Sequence, residues 1–125
     1  MSTTEAVMTT QDVANRFHEL AQMGQWDKVQ DELYAENAVS IEPKDSPGMS
    51  SAEGIAAIKQ KGKQFGEMLE EMHGGYSNEP QVAGSHFAVA MGMDCTMKGM
   101  GRQKMDEIAV YQVKDGKIIK EQFFY

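Results

Sequence analysis

The residue best placed to do chemistry is Glu42, which ends the short run Ala38-Val39-Ser40-Ile41-Glu42-Pro43. The run predicts a strand, and Pro43 ends it because proline has no backbone amide hydrogen to donate. A carboxylate held at the end of a strand can act as a general base when its pocket is shielded from water. The alternative is an ordinary strand-end acid in contact with solvent, and the sequence leaves both interpretations open.

Asp106 and Glu121 are the next candidate acids. They lie in two alternating runs joined by Asp115-Gly116, a dipeptide that predicts a hairpin with a two-residue turn. In that register both acids lie on the more apolar face of the hairpin, and Tyr125 is opposite Asp106. Asp106 is therefore predicted to orient a polar group or to be the acid partner of Glu42, whereas Glu121 is expected at the wet rim.

The other reactive side chains form no catalytic or metal-binding pattern. His18, His73 and His86 have no spacing that would gather a metal site. Cys95 is the single cysteine, and it is expected to be a core thiol because no histidine partner is evident nearby. Phosphate-loop, dinucleotide-binding and nucleophile-elbow motifs are also missing from the sequence. We therefore expect neither a metal nor a cofactor.

Composition argues against several classes of partner. The chain has 125 residues, of which 41% are hydrophobic and 25% charged, as is typical of one globular domain. Its net charge of -7 disfavours nucleic acids and anionic membrane surfaces. We see no signal segment at the start and no apolar run approaching the ~20 residues that span a bilayer, so we expect a cytoplasmic protein.

The first half of the sequence predicts three helices and one strand. Residues 1–9 are polar and predicted to be flexible, and residues 10–125 are predicted to form a single domain. The first helix begins with a capping box of Thr9 and Asp12. A second, shorter helix starts near Trp26 and leads into the Glu42 strand. The apolar stripes of these helices are Val13, Phe17, Leu20 and Ala21, followed by Trp26, Val29 and Leu33.

A loop over 44–51 precedes the third predicted helix. Ser50 and Glu53 resemble a second capping box. The apolar stripe then runs to Met72, and Gly74-Gly75 is predicted to end the helix. The residues of this stripe are Ile55, Ile58, Phe65, Leu69 and Met72.

The second half of the sequence has the two-residue period of strands, predicted at 76–83, 86–97, 102–113 and 117–125. If Gly99-Met100 is a two-residue turn, the apolar side of strand 86–97 shares one face with Asp106, Ile108 and Val110. A slip of one residue there would invert the faces of strand 102–113. The second, convex face then carries Tyr111, Phe124 and small residues, and it is too apolar for open water. We expect a twin subunit to cover it in a homodimer.

The order of helices and strands resembles the nuclear transport factor 2-like superfamily, and within it the SnoaL-like, polyketide-cyclase-like branch. The resemblance is carried by Tyr34-Ala35-Glu36-Asn37-Ala38, Ile41-Glu42-Pro43, Gly54-Ile55-Ala56-Ala57-Ile58 and Val113-Lys114-Asp115-Gly116-Lys117-Ile118. It implies an α+β, cystatin-like roll, in which a cone-shaped and mostly antiparallel sheet packs on three helices around an apolar pocket. It also implies a homodimer.

The resemblance gives Glu42 a role. In the ketosteroid isomerases of this superfamily the base is an acid directly before a proline, and Glu42-Pro43 resembles that position. Their oxyanion-binding tyrosine falls at Phe17, which cannot donate a hydrogen bond, and a second donor falls near Ala109 or Val110. Because oxyanion stabilisation is commonly the largest catalytic contribution, steroid isomerisation is not expected.

The residues predicted to line the ligand pocket are mostly apolar. They are Phe17, Trp26, Phe65, Met91, Met93, Val110, Phe123 and Tyr125. The chain also contains 11 methionines, which either fill gaps in an irregular core or give the pocket a deformable wall.

The predicted function is binding of a small, largely apolar organic molecule, with cofactor-free isomerase, cyclase or dehydratase chemistry in which Glu42 accepts a proton. The alternative is a non-catalytic ligand-binding or dimerisation module. Two convergent polar groups in the pocket would favour the enzyme over this alternative.

Overall fold

The computed structural model describes residues 7–46 and 50–125. Residues 1–6 of the predicted flexible segment 1–9 lie outside the described residues. Residues 47–49 of the predicted loop 44–51 also lie outside them. Among the described residues no helix is long and apolar enough to cross a membrane. The elements are α1 Thr10–Gln22, α2 Trp26–Leu33, β1 Tyr34–Ile41, β2 Ala52–Glu53, α3 Ile55–Met68, β3 Leu69–Ser77, β4 Gln81–Ala83, β5 His86–Met97, β6 Gly101–Lys114 and β7 Lys117–Phe124.

The strands form one sheet in the order β2-β1-β7-β6-β5-β3, with β4 paired to β5. β1 runs parallel to β7, and the remaining neighbours pair antiparallel. The helices pack on one face, which we call the inner face, and the opposite side of the sheet is the outer face. This arrangement confirms the predicted α+β class with three helices on a mostly antiparallel sheet.

Apolar side chains from all three helices meet the inner face. Phe17 of α1 lies at the centre, with its ring centroid 5.4 Å from that of Phe87 and 4.8 Å from that of Tyr111. Burial of each large apolar side chain stabilises the fold by about 1.5–3 kcal/mol. The capping box of α1 is confirmed: the Asp12 amide donates to the Thr9 hydroxyl, and the Thr9 amide donates to the Asp12 carboxylate.

The third helix differs from its prediction at both ends. Gly54, with a φ of 87°, precedes α3 in place of the predicted Ser50–Glu53 capping box, and Ala52–Glu53 is a short strand. The helix ends at Met68 rather than near Met72, because residues 69–77 pair with β5. Gly62 and Gly66 weaken the helix by up to ~1 kcal/mol each, so the strand pairing prevails over the continued helical pattern.

The predicted turn at Asp115-Gly116 is confirmed. Lys114 pairs with Lys117 across two residues, both with positive φ, 51° at Asp115 and 75° at Gly116. The register beyond the turn shifts between Gln112 and Val113, so Tyr111 rather than Val110 lies opposite Glu121. This β-bulge places one extra residue in β7.

The predicted two-residue turn at Gly99-Met100 is wrong. Met97 pairs with Gly101, which leaves the three residues 98–100 in the loop and moves the register of β6 by one residue. The faces of β6 are therefore the reverse of those predicted: Glu107, Ala109 and Tyr111 face inward. Asp106, Ile108 and Val110 lie on the outer face.

Candidate functional site

Glu42 follows the last residue of β1 and is almost fully buried, with 8% of its surface exposed. Ala38, Ser40 and Glu42 alternate along the strand and are all buried, so they share the inner face. The Glu42 amide donates to the Ser51 hydroxyl at 3.0 Å, which fixes the chain before it turns at Pro43. The carboxylate therefore points toward the helices rather than into bulk water.

Lys61 of α3 holds the Glu42 carboxylate. Its ammonium nitrogen lies 2.7 Å from Glu42 Oε2 and 2.6 Å from the Ser40 hydroxyl, and its side chain is only 12% exposed. Sequence reasoning missed Lys61. Its position was the available signal, because it lies three residues after Ile58 and four before Phe65, on the apolar stripe of the helix.

Tyr125 binds the other oxygen of Glu42. Its hydroxyl donates to Oε1 at 2.7 Å and also contacts the Ser46 hydroxyl. Burial, together with the bond to the Glu42 carboxylate, raises the pKa of Tyr125 to about 12. Tyr125 thus remains a protonated hydrogen-bond donor at neutral pH, and it is the one predicted pocket residue that contacts Glu42 by a hydrogen bond.

A second carboxyl group, Glu121, lies deeper on the inner face. It is 5% exposed, and the Tyr34 hydroxyl donates to its Oε1. Burial raises the pKa of Glu121, although hydrogen bonds from Tyr34 and Ser40 oppose the change. The expectation that Glu121 lies at a wet rim is therefore wrong, because it is buried on the inner face against Tyr34 and Ser40 of β1.

A third carboxyl group, Glu107, also faces inward and was not among the predicted site residues. Burial raises its pKa to about 7, and the negative charges of Glu42 and Glu121 add to the effect, while Lys61 opposes it. Glu107 thus exchanges a proton near neutral pH. A correct register for β6 would have identified it, since it occupies the inner position predicted for Asp106.

Asp106 lies on the outer face instead. It is exposed, and its Oδ1 accepts a hydrogen bond of 2.7 Å from Tyr76. The predicted contact with Tyr125 is absent from the described pairings, because β6 and β7 stop pairing at Ile108 and Phe124. Val110 is also on the outer face, so the structure does not bring these two predicted residues to Glu42.

The other predicted pocket residues occupy two regions. Phe17 and Met91 belong to the helix–sheet core, where Met91 pairs with Glu107. Trp26 contacts Phe17 with 5.8 Å between ring centroids, but it is 42% exposed and therefore does not belong to the buried core. Phe65 and Met93 are half-buried. Phe123 lies beside the site, with its ring centroid 5.5 Å from the Lys61 ammonium nitrogen. Of the predicted pocket residues, Phe123 and Tyr125 therefore lie near Glu42, and the others lie elsewhere in the molecule.

An open groove of about 430 Å³ lies where β1 and β7 end. Its lining combines Glu42 with apolar side chains, and it consists of Ile41, Glu42, Pro43, Lys44 and residues 122–125. Within residues 7–46 and 50–125 no three His, Cys, Asp or Glu side chains are grouped to hold a metal ion. The chemistry that Glu42 and Tyr125 offer in this groove is proton transfer, whereas Glu107 faces inward and is not part of the groove lining.

Known proteins of similar sequence and structure agree with this architecture. A family described as "SnoaL-like domain" matches residues 8–125. A protein described as a SnoaL-like polyketide cyclase from Mesorhizobium loti is 36% identical, with a TM-score of 0.87 over 94% of this chain and 100% of that one. No curated protein sequence matches the chain significantly.

Two more distant structures share the fold alone. A cystatin-like protein of unknown function from Xanthomonas campestris is 16% identical over 94% of this chain and 90% of that one, with a TM-score of 0.74. An NTF2-like protein from Burkholderia thailandensis is 14% identical over the same shares, with a TM-score of 0.78. With the family match covering nearly all of the sequence, the chain belongs to the SnoaL-like family.

Proposed function

We propose that the protein binds a small, largely apolar organic molecule in the groove beside Glu42 and catalyses cofactor-free proton transfer on it. The reaction would be of isomerase, cyclase or dehydratase type, with Glu42 as proton acceptor. The observation that carries the proposal is the Glu42 carboxylate itself, which is buried, held by Lys61 and Tyr125, and exposed at one edge to a groove. A general base needs this combination of fixed position and limited water.

The groove supplies both kinds of contact that a ligand of this class requires. Phe123 and Ile41 offer apolar surface, and Glu42 and Tyr125 offer convergent polar groups. Sites for small organic molecules are mostly apolar with few polar groups that orient the ligand. The chemistry of Glu42 then depends on a substrate hydrogen that is acidic, such as one on the carbon beside a carbonyl group.

The test is hydrogen–deuterium exchange of such hydrogens in a panel of cyclic and conjugated ketones, followed by NMR. Wild-type protein should accelerate exchange for at least one ketone, and its amide signals near Glu42, Phe123 and Tyr125 should shift on binding. Glu42→Gln should reduce the exchange rate at least about a hundredfold, since it removes the base. Glu36→Gln, an exposed acid of β1, is the matched control and should exchange like the wild type. Binding of a ketone at the groove with no exchange in any variant would refute the catalytic proposal.

The alternative is a dimerisation or binding module without catalysis. The exposed apolar residues of the outer face favour dimerisation. Tyr76, Ile108 and Phe124 are 46%, 51% and 49% exposed there, beside the small residues Ala88, Ala90 and Gly92 of β5. A second copy of the chain would cover this patch with the same patch of its own. The predicted role of Tyr111 in this face is wrong, since Tyr111 is buried on the inner face.

The dimer can be tested independently of the chemistry. Light scattering after size-exclusion chromatography should give twice the chain mass for the wild type and the chain mass for Ile108→Lys. Met23→Lys, at an exposed apolar position directly after α1, should remain dimeric. A wild-type protein that elutes with the mass of one chain at micromolar concentration would contradict the dimer.

A further inference from the structure

Lys61 is the one cation bound to the Glu42 carboxylate in the described part of the chain. It projects from α3 onto the inner face, where its ammonium group donates to Glu42 Oε2 and to the Ser40 hydroxyl. An ammonium group has three N–H donors, and these two contacts account for two of them. Lys61 therefore has the capacity to donate to a further acceptor without breaking either bond.

The groove adjoins two of the side chains that Lys61 contacts. The Lys61 nitrogen lies 5.5 Å from the centroid of Phe123, and Phe123 lines the groove together with Glu42. A molecule packed against Phe123 with its acidic carbon at Glu42 would present neighbouring atoms to the Lys61 ammonium group. Lys61 is not part of the groove lining, but two side chains that it contacts, Glu42 and Phe123, are.

Proton transfer to Glu42 changes the charge that Lys61 faces. Before transfer, the ammonium group is paired with the Glu42 carboxylate. When Glu42 takes a proton from carbon, the C–H electron pair forms a carbon–carbon double bond and the carbonyl electron pair moves onto oxygen. The carboxyl group becomes neutral and the substrate oxygen becomes negative, so the total charge is unchanged. Lys61 then has a stronger partner in the substrate oxygen than in Glu42.

On the basis of the proposed function, we propose that Lys61 is a catalytic residue that binds and stabilises this oxyanion. Glu42 afterwards returns the proton to the same carbon or to a conjugated one, which restores the original ion pair. Lys61 would thereby supply, from α3, the stabilisation that Phe17 cannot supply from α1. A pre-positioned donor of this kind is commonly the largest single contribution to catalysis.

The test separates this role from simple neutralisation of Glu42. Glu42→Gln mimics the protonated acid, and 4-nitrophenolate is a stable oxyanion whose binding changes its absorbance. Glu42→Gln should bind 4-nitrophenolate more tightly than the wild type, because the competing carboxylate is gone. Adding Lys61→Met to Glu42→Gln should weaken binding about tenfold to a hundredfold, the range expected for a hydrogen bond to a charged group. This double variant removes both members of the Lys61–Glu42 ion pair, so neither of them is left as an unpaired buried charge.

Two further variants serve as controls. Glu42→Gln with Lys63→Met, an exposed lysine of the same helix, should bind 4-nitrophenolate like Glu42→Gln alone, and Glu42→Gln with Lys61→Arg should retain most of the affinity. If Lys61→Met does not change 4-nitrophenolate binding in the Glu42→Gln background, or if Glu42→Gln does not bind it, the role of Lys61 is refuted. Ketone exchange that depends on Glu42 would in that case still support the proposed function. Lys61-dependent 4-nitrophenolate binding without any ketone exchange would support the oxyanion site and refute the base.

Discussion

Asp106 and Glu107 are neighbours in β6, yet they lie in opposite environments. Asp106 is on the outer face, exposed, and bound by the Tyr76 hydroxyl. Glu107 is on the inner face, where burial and the charges of Glu42 and Glu121 raise its pKa to about 7. The same contrast applies to two hydrogen bonds between a tyrosine and a carboxylate. The Tyr34–Glu121 bond is buried on the inner face, and the Tyr76–Asp106 bond is exposed on the outer face.

This difference shows that the face of the sheet, rather than the residue type, decides what an acid can do. The inner face combines low water access with three carboxyl groups and one lysine, which perturbs proton affinities. The outer face leaves its acid in contact with solvent and its apolar residues available to a second copy. The proposed chemistry and the proposed dimer contact thus lie on opposite sides of one strand.

The largest expected effect on stability comes from the outer face at Gly92. A Cβ atom there would lie 2.6 Å from the Met105 carbonyl oxygen and from Tyr76 Cε1, and 2.7 Å from Asp106 Oδ1. Gly92→Ala should lower the free energy of unfolding by about 3 kcal/mol, the upper end of the usual range for overpacking, because one of the atoms is backbone. Urea-induced unfolding of the wild type and of Gly92→Ala would measure this loss of unfolding free energy.

Gly62→Ala in α3 is the matched substitution in open space, because nothing lies within 4 Å of its Cβ position. It should raise the free energy of unfolding by up to ~1 kcal/mol. Equal effects of the two substitutions would show that the side chains of Tyr76 and Asp106 do not pack over Gly92. That result would contradict the assignment of Asp106 to the outer face.

The next largest effect should distinguish the two tyrosines. Tyr34→Phe leaves the buried Glu121 without its phenol donor, and the loss should cost about 2 kcal/mol of unfolding free energy. Tyr76→Phe removes an exposed hydrogen bond and should cost about 0.5 kcal/mol. Chemical denaturation of both variants checks the difference, and a larger loss for Tyr76→Phe would reverse the roles assigned to the faces.

A further effect is a pH dependence of stability that originates at Glu107. Its pKa is raised from 4.5 to about 7 on folding, so between these values the folded state binds more protons than the unfolded state. The contribution of Glu107 to stability is complete below about pH 4.5 and is lost as the pH rises through 7. Glu107→Gln removes this titration and should therefore gain stability relative to the wild type between pH 4 and pH 8. A difference that is constant with pH would contradict the prediction.

Much of the fold could be predicted from local patterns. The capping box at Thr9, the stripe through Phe17 and Leu33, and the Asp115-Gly116 turn are local features, and the structure confirms them. The end of α3 could not be predicted, because its pattern runs on past Met68 and only pairing with β5 ends the helix. Long-range pairing of this kind has no local signature.

The error in the site arose from counting across a loop. The Lys98-Gly99-Met100 loop has three residues instead of two, and the bulge in β7 adds one more. The two shifts cancel for β7, so Glu121 and Phe123 were predicted on the correct face. The strand between the two shifts, β6, was predicted with its faces reversed. That single slip selected Asp106 in place of Glu107. Lys61 was missed for another reason, because a single lysine within an apolar stripe forms no motif that marks it as the partner of a buried carboxylate.

The most direct test of the contrast between the two faces is a carboxyl carbon-13 NMR titration of Glu107. The structure places this acid on the inner face beside two other carboxyl groups, and burial raises its pKa to about 7. We predict a Glu107 titration midpoint near that value, one that does not move on Asp106→Asn and falls on Glu42→Gln, since Glu42 contributes to the raised value. A midpoint near the ordinary 4.5 would place Glu107 in water and contradict the account of the site.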